Sequence, residues 1–246
     1  MTRCPRLYIY YRHVHSKHNP RSRDPEKARP EWFSHEKCYL NLLKTLDESP
    51  LAKYVSLTVI YDGSQNDFDD DFMSSHLVTP RAYSTVVMTV EAGSNMKSWH
   101  AALQQSSTAP IDDQDLIYFL ENDYIHLPGW LENVFQLYSS GIPFDYISLY
   151  DHKDKYFLTM YESLTAKIFI TEGRHWRTAP STCGTFILRR RTLLADMHLW
   201  AMEIQDHLIF TELCEHRGRV LLTPVPGLAT HCMHGYLSPT INWEHI

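Results

Sequence analysis

The first half of the chain alternates short runs of β-forming residues with stretches of helical periodicity. Residues 7–11 (LYIYY) make the first run. Ser34 then stands where it can cap a helix whose Cys38, Tyr39, Leu42, Leu43 and Leu46 share one face. Residues 55–61 (VSLTVIY) follow and end at the turn signal Asp62-Gly63. Residues 84–90 (STVVMTV) are the third run. Ser94 caps a second helix through Met96, Trp99, Ala102 and Leu103, and residues 116–120 (LIYFL) are the fourth run. This last run is apolar throughout, as a strand covered on both faces must be. Pro128-Gly129-Trp130 opens another helix, to about Tyr138. Such alternation predicts an α/β fold with a mainly parallel central sheet and helices on both faces. In such sheets ligands gather at the carboxyl-terminal ends of the strands. The residues to read for chemistry are therefore Arg12 and His13, Asp62, residues 91–95, and Glu121 to Asp123.

The second half is less regular. Residues 146–149 read as a strand, and residues 156–170 suit a hairpin or an antiparallel extension. Residues 172–182 read as a polar loop carrying Arg174, His175, Trp176 and Arg177. A strand at 185–188, helices at 191–200 and 206–216 (the second stopped by Gly218) and a strand at 220–223 follow. Beyond Pro224 the chain reads as a covering tail.

With 246 residues, 43% of them apolar and 21% charged, the composition is that of a globular protein rather than a disordered or collagen-like one. No repeat at the roughly 20–50-residue period of solenoids is visible. No Gly/Ser- or Pro-rich linker divides the chain, so one domain over residues 1–246 is expected. No unbroken apolar run exceeds five residues, against the ~20 of a membrane-spanning helix. The start, MTRCPRLYIYYRH, shows no secretory signal pattern. The five cysteines (Cys4, Cys38, Cys183, Cys214, Cys232) form no CxxC pair. Neither a disulfide scaffold nor a cysteine-built zinc site is expected, and a reducing cytoplasm is the simplest setting.

The net charge of −6 is uneven: residues 1–30 carry +6 and the remainder −12. A basic leading segment on an acidic body suits a nucleic-acid arm, an ordinary solvated loop, or a flank for the phosphates of a small ligand. Four acidic clusters could hold a divalent cation: Asp67 with Asp69, Asp70 and Asp71; residues 112–115; Glu121 with Asp123; and residues 151–154. The first two read as solvated surface. Glu121-Asn122-Asp123 stands apart, because LIYFL delivers it to the ligand edge of the sheet. Two acids separated by one residue point to the same side of an extended segment. A carboxylate there can bind Mg²⁺ or Mn²⁺ and leave positions open for phosphate oxygens. The alternative is a plain strand-ending turn.

The stretch IYFLENDYIHLPGW (117–130) resembles the metal-binding segment of GT-A fold glycosyltransferases, an acidic DXD pattern between an apolar strand and a helix. Further segments fall in the family's order. YDGS (61–64) resembles the acid that contacts the nucleotide base, and GSNMKSWHAAL (93–103) the helix before the metal strand. EIQDHLIFTELCEHRGRV (203–220) resembles the helix start that supplies a catalytic base in inverting members, and THC (230–232) a late histidine that completes the metal shell. Together they span about residues 7–232. The type they resemble is the compact single-domain transferase of bacteria and large algal viruses. Glu121 replaces the first Asp of DXD, and Gln205-Asp206 replaces Glu-Asp. The QxxRW element and membrane helices of processive synthases are absent, so the resemblance implies a soluble enzyme adding one or a few sugars.

The resemblance implies a GT-A (Rossmann-like) fold with a small antiparallel extension. A nucleotide-sugar-binding half would lie at about 1–125, and an acceptor-binding half with a tail at about 126–246. It implies transfer from a nucleotide-diphosphate sugar, UDP-sugar ahead of dTDP- and GDP-sugars, to a hydroxyl of a glycan or other acceptor, with Mn²⁺ or Mg²⁺ as cofactor. Asp123 and His231 become metal ligands, the diphosphate and water completing the shell, and the ion a Lewis acid for the leaving group. His231 is equally well read as a hydrogen-bonded histidine of the tail. Glu121 would touch the ribose, or the ion through water, with Asn122 in the same nucleotide-sugar site. Asp206 becomes the general base of an inverting displacement, with Glu203 in reserve; it also stands where a helix N-cap would. Tyr11 would stack on a pyrimidine, Arg12 pair with phosphate, Asp62 accept from base or ribose, and Lys97 reach base or diphosphate. On the acceptor side Trp176 would stack on a sugar face and Arg177 bind a hydroxyl or phosphate. The plainer readings are Tyr11 as core, Arg12 and Lys97 as surface charges, and Trp176 folded back onto the core. Cys183 has no His/Asp arrangement around it to make it a nucleophile. Neither a nucleic acid nor a membrane is an expected partner.

Rivals of other kinds remain. A sugar-phosphate nucleotidyltransferase would share the sheet and Mg²⁺, but it usually shows a Gly-rich basic loop after the first strand, where this chain reads YRHVHSKHNPRSR (11–23), with no glycine. An RNA- or protein-binding module would need Tyr8, Tyr10 and Tyr11 exposed as a stacking face. A relative that keeps the sheet without the chemistry is the third.

Overall fold

A computed structural model describes residues 4–15 and 28–246; of the basic leading segment, residues 1–3 and 16–27 lie outside the described residues. Strands β1 (Leu7–Val14), β2 (Val55–Asp62), β3 (Ser84–Val90) and β4 (Leu116–Glu121) are parallel and lie in the order β3-β2-β1-β4. Next to β4 the same nine-stranded sheet continues through β9 (Phe186–Arg189), β6 (Tyr146–Ile147), β10 (Leu221–Val225), β8 (Arg174–Thr178) and β7 (Ile168–Thr171). Within it β9 and β8 run against the other strands. A separate antiparallel pair joins β5 (Tyr124–His126) to β11 (Ala229–His231).

Helices cover both faces, and the alternation along β1 and β4 explains why. Leu7, Ile9, Tyr11, Leu116, Tyr118 and Leu120 face α1 (His35–Asp47) and α5 (Trp130–Ser139). Tyr10, Ile117 and Phe119 face the opposite layer of α4 (Asn95–Thr108), α6 (Arg190–Trp200) and α7 (Asp206–Thr211). With both faces enclosed, every position of LIYFL gains from burial, about 1.5–3 kcal/mol for each large side chain. Ser34 and Ser94 cap α1 and α4 by accepting from the Lys37 and Lys97 amides. Two short helices, α2 (Gln65–Asp69) and α3 (Phe72–His76), follow β2. Among the described residues no helix is long and apolar enough to cross a membrane.

The second half departs from expectation in four places. Residues 174–178 form β8 between β10 and β7 rather than a loop. Only Trp176 of that strand is fully buried, so its charged neighbours mask a strand with one apolar anchor. Residues 156–170 reach strand geometry only at β7, after 3₁₀ turns at Lys153–Tyr156 and Thr159–Tyr161. The tail supplies β11, and the helix at 206–216 changes to a π-helical turn at Glu212–His216.

One buried side chain locks the β5–β11 pair to the main body. Asn41 of α1 donates from Nδ2 to the His126 carbonyl at 3.0 Å and accepts from the His126 amide at 2.7 Å. Burial pushes the His126 imidazole down to about 3, so it stays neutral beside the Tyr118 hydroxyl. Asn41→Ala leaves both backbone groups of His126 unpaired. Urea denaturation is expected to show a loss of about 2–4 kcal/mol, against ~0.5 or less for Lys44→Ala on the exposed face.

Candidate active site

Arg12 near the end of β1 and Glu121 at the end of β4 lie side by side because the two strands are parallel and in register at these residues. β9 runs the other way, so the loop that enters it, residues 181–185 (STCGT), arrives at the same edge. Arg12 is buried. Its Nη2 donates to Glu121 Oε1 at 3.0 Å, and its Nη1 to Asn95 Oδ1 at 2.8 Å. The guanidinium stands 5.4 Å above the Trp99 ring. Thr185 Oγ1 accepts from the Glu121 amide at 3.2 Å.

Gly184 is the point on which the charges converge. A Cβ there would stand 3.4 Å from Asp206 Oδ2, 3.5 Å from Arg12 Nη2 and 3.8 Å from the Glu121 carboxyl carbon. Asp206 is the first residue of α7, and Gln205 occupies the N-cap position without a side-chain bond. The expectation that Asp206 caps the helix is thus corrected, and its carboxylate is left for the site. Burial first, then the neighbouring Glu121 carboxylate, pushes the Asp206 carboxyl up to about 6, against the opposing pull of Arg12 and the Gly184 amide. On its outer side Asp206 opens to solvent.

The second acid of the turn takes different partners. Asp123 is buried; its Oδ2 accepts from Arg29 Nη2 at 2.6 Å and lies 3.0 Å from His231 Nε2. The β5–β11 register creates this meeting, since Tyr124 faces His231 and the Cys232 amide donates to the Asp123 carbonyl at 2.8 Å. Burial alone would raise the Asp123 carboxyl, but His231 and Arg29 pull it well below the carboxylate range. Asp123 Oδ1 is buried without a hydrogen-bond partner. Asn122 sits between the acids, its Nδ2 at 3.1 Å from His13 Nδ1, and its carbonyl accepts from His35 Nδ1 at 3.1 Å. Glu121 and Asp123 therefore take different partners, because the chain turns at Asn122-Asp123 directly after β4 instead of continuing extended.

Asp123 and His231 fit a divalent ion as a two-ligand site. Adjacent ligands of an octahedral ion with bonds of ~2.1 Å stand about 3.0 Å apart. The two side chains have that separation, and the free Oδ1 offers a further lone pair. Carboxylate with imidazole suits first-row ions. Among the described residues no group of three or more His, Cys, Asp and Glu side chains converges as a complete protein shell. The other acidic clusters serve the fold: Asp67 completes the capping box of α2, Asp71 caps α3, and Asp113 pairs with Arg190.

Other expected site residues are placed less favourably. Tyr11 is enclosed against Tyr39 and His13, since strand alternation turns it toward α1. It offers no open face to a pyrimidine, and the burial of Tyr10 and Tyr11 likewise removes the exposed tyrosine face an RNA-binding module needs. Trp176 is fully buried and donates to Thr171 Oγ1 at 3.0 Å, so it is core and not a sugar platform. Asp62 Oδ1 accepts from the Ala92 and Gly93 amides at 2.8 and 3.1 Å and so shapes the loop after β3. Lys97 is exposed in the first turn of α4, and Glu203 is exposed three residues before Asp206. Arg177 pairs with buried Asp151 at 2.7 Å. Burial keeps the Cys183 thiol protonated, 3.6 Å from His152 Nε2. Arg29, Asn95 and Gly184 are site residues that pattern reading did not single out; Asn95 lay in the flagged segment 91–95, and Gly184 carries no signal in one sequence.

The strand order β3-β2-β1-β4, with charged side chains gathered at the carboxyl-terminal strand ends, is that of a doubly wound α/β sheet, whose ligands bind at that edge. Among solved structures the chain is similar to S. aureus TarS 1–349, with 12% identity and a TM-score of 0.49 over 89% of this chain and 57% of that one. The same fragment in complex with UDP gives 14% identity and a TM-score of 0.49, again over 89% and 57%. The inositol-1-phosphate CTP transferase of T. maritima gives 13% identity and a TM-score of 0.43 over 91% and 86%. The chain thus spans 57% of the length of the TarS fragment, and likenesses at these identities concern the backbone arrangement alone. No protein-family model matches the chain, and no curated protein matches its sequence.

The raised proton affinity of Asp206 has a consequence for stability. Its protonated form is favoured in the folded state, so ionisation opposes folding. That opposition is absent below the ordinary value of 3.8 and complete above about 6. Calorimetry is expected to find Asp206→Asn melting above the wild type at about pH 8, with the difference closing below about pH 4.

Proposed function

We propose that this chain is a metal-dependent, inverting glycosyltransferase that moves a sugar from a nucleotide-diphosphate donor, a UDP-sugar first, to a hydroxyl of a glycan or other acceptor. The observation that carries this reading is the convergence of Asp206, Arg12 and Glu121 on Gly184, one turn away from the Asp123–His231 pair. A base with a pKa of about 6 is largely ionised at neutral pH and still able to take a proton.

In the reaction Asp206 accepts the acceptor's hydroxyl proton as that oxygen bonds to the anomeric carbon. The bond from that carbon to the diphosphate oxygen breaks, and the diphosphate leaves with the electron pair. Attack from the face opposite the leaving group inverts the anomeric configuration. Asp123 and His231 would hold the Mn²⁺ or Mg²⁺, which supplies Lewis-acid stabilisation of the departing charge. Arg12, fixed by Asn95 and Trp99, holds Glu121 in place while that carboxylate, 26% exposed, keeps an oxygen available to donor hydroxyls. Lys97 would reach the base or the diphosphate, and Arg177 would bind an acceptor hydroxyl or a donor phosphate.

Asp206→Asn is expected to lower kcat by roughly 10²- to 10⁴-fold with donor affinity nearly unchanged. In the wild type kcat/KM is expected to rise with pH through about 6, as the base ionises. Product NMR should show the anomeric configuration opposite to the donor's. Transfer at wild-type rate by Asp206→Asn would place the base elsewhere, and a product of unchanged configuration would refute inversion.

A further inference from the structure

The Asp123–His231 pair already has a cation against it, and that cation belongs to the protein. Arg29 Nη2 donates to Asp123 Oδ2 at 2.6 Å, and Arg29 Nη1 lies 3.4 Å from His231 Nε2. The same Nη1 donates to the Cys232 carbonyl at 2.8 Å, and the guanidinium packs 4.8 Å from the centre of the Phe33 ring. One planar group thus contacts both members of the pair and is anchored from a third and a fourth side. Its side chain remains 23% exposed, so the way out to solvent is open. A divalent ion bonded to Oδ2 and Nε2 would compete with the guanidinium for the same two atoms, and like charges at such range repel strongly.

We infer that Arg29 is a built-in cation that occupies the divalent-ion position of Asp123 and His231, so that the ion loads only as the Arg29 side chain leaves. The inference rests on the two-ligand site of the proposed function. Arg29 neutralises Asp123 in the unloaded protein and sets a threshold for ion binding. It also separates two roles that one site would otherwise mix, folding the β5–β11 edge and holding the ion.

The test needs neither donor nor transfer. Mn²⁺ binding to the full chain is measured by the EPR signal of free Mn²⁺, in the wild type and in Arg29→Met, which keeps an unbranched side chain and removes the charge. Arg29→Met is expected to bind Mn²⁺ roughly tenfold or more tightly than the wild type, and adding Asp123→Asn to it should abolish the gain. Equal or weaker Mn²⁺ affinity in a folded Arg29→Met overturns the inference and leaves the ion site standing. No Mn²⁺ binding in either protein overturns the ion site itself, and with it the metal-dependent reading. If Arg29→Met does not fold, Arg29→Gln, which retains a donor to Asp123, carries the same expectation. On the wild type, Mg²⁺ titration should shift the Arg29 Nε–H resonance; no shift under conditions where Mg²⁺ is bound contradicts displacement.

Discussion

Three charged side chains meet around Gly184, and only Arg12 among them is positive. Its guanidinium answers Glu121 directly and lowers the field felt by Asp206, while Asn95 and the Trp99 ring fix its plane. Removing Glu121 would leave the buried Arg12 charge answered only by Asn95 and Asp206. Arg12 also adds a side-chain link from the end of β1 to β4 and to the start of α4. The geometry of the edge and the proton affinity of Asp206 therefore depend on the same group. A Cβ at position 184 would stand in ordinary van der Waals contact with all three charged side chains, so the loop into β9 lies directly against them.

The neighbouring turn solves a separate problem. β4 ends at Glu121, and within three residues the chain starts β5, which pairs with β11 rather than with the large sheet. That reversal sends Glu121 toward Arg12 and Asp123 toward His231. A slip of one residue in the β5–β11 register would turn His231 to the other side and dissolve the pair. Asn41, holding both backbone groups of His126, guards that register from α1. The Arg12–Glu121–Asp206 group and the Asp123–His231 pair thus rest on separate supports.

The parallel quartet was legible because its signals are local. LIYFL is apolar at every position, Ser34 and Ser94 stand at helix starts, and both faces of β1 and β4 are covered as such runs require. Asp206, Glu121 and Asp123 could be singled out because they follow strand or helix boundaries. What was hidden depends on tertiary partners. Tyr11 and Trp176 look the same in sequence whether they face a ligand or the core, and the structure places both inside. β8 carries one buried residue among charged ones, so its pattern resembles a loop. Arg29 was one basic residue among eight in the leading segment, and only the fold brings it to Asp123, 94 positions away. Gly184 matters through three distant side chains and so leaves no mark on its neighbours in sequence.

The central claim is that a nucleotide-sugar donor lies across this edge, its diphosphate at Asp123 and His231 and its sugar beside Gly184 and Asp206. The most direct measurement is a crystal structure of the chain with UDP and Mn²⁺. The account predicts density for the diphosphate between the turn at 121–123 and His231, with Arg29 moved off Asp123. UDP bound away from this edge, with Arg29 still paired to Asp123 and no ion between the two ligands, would contradict it.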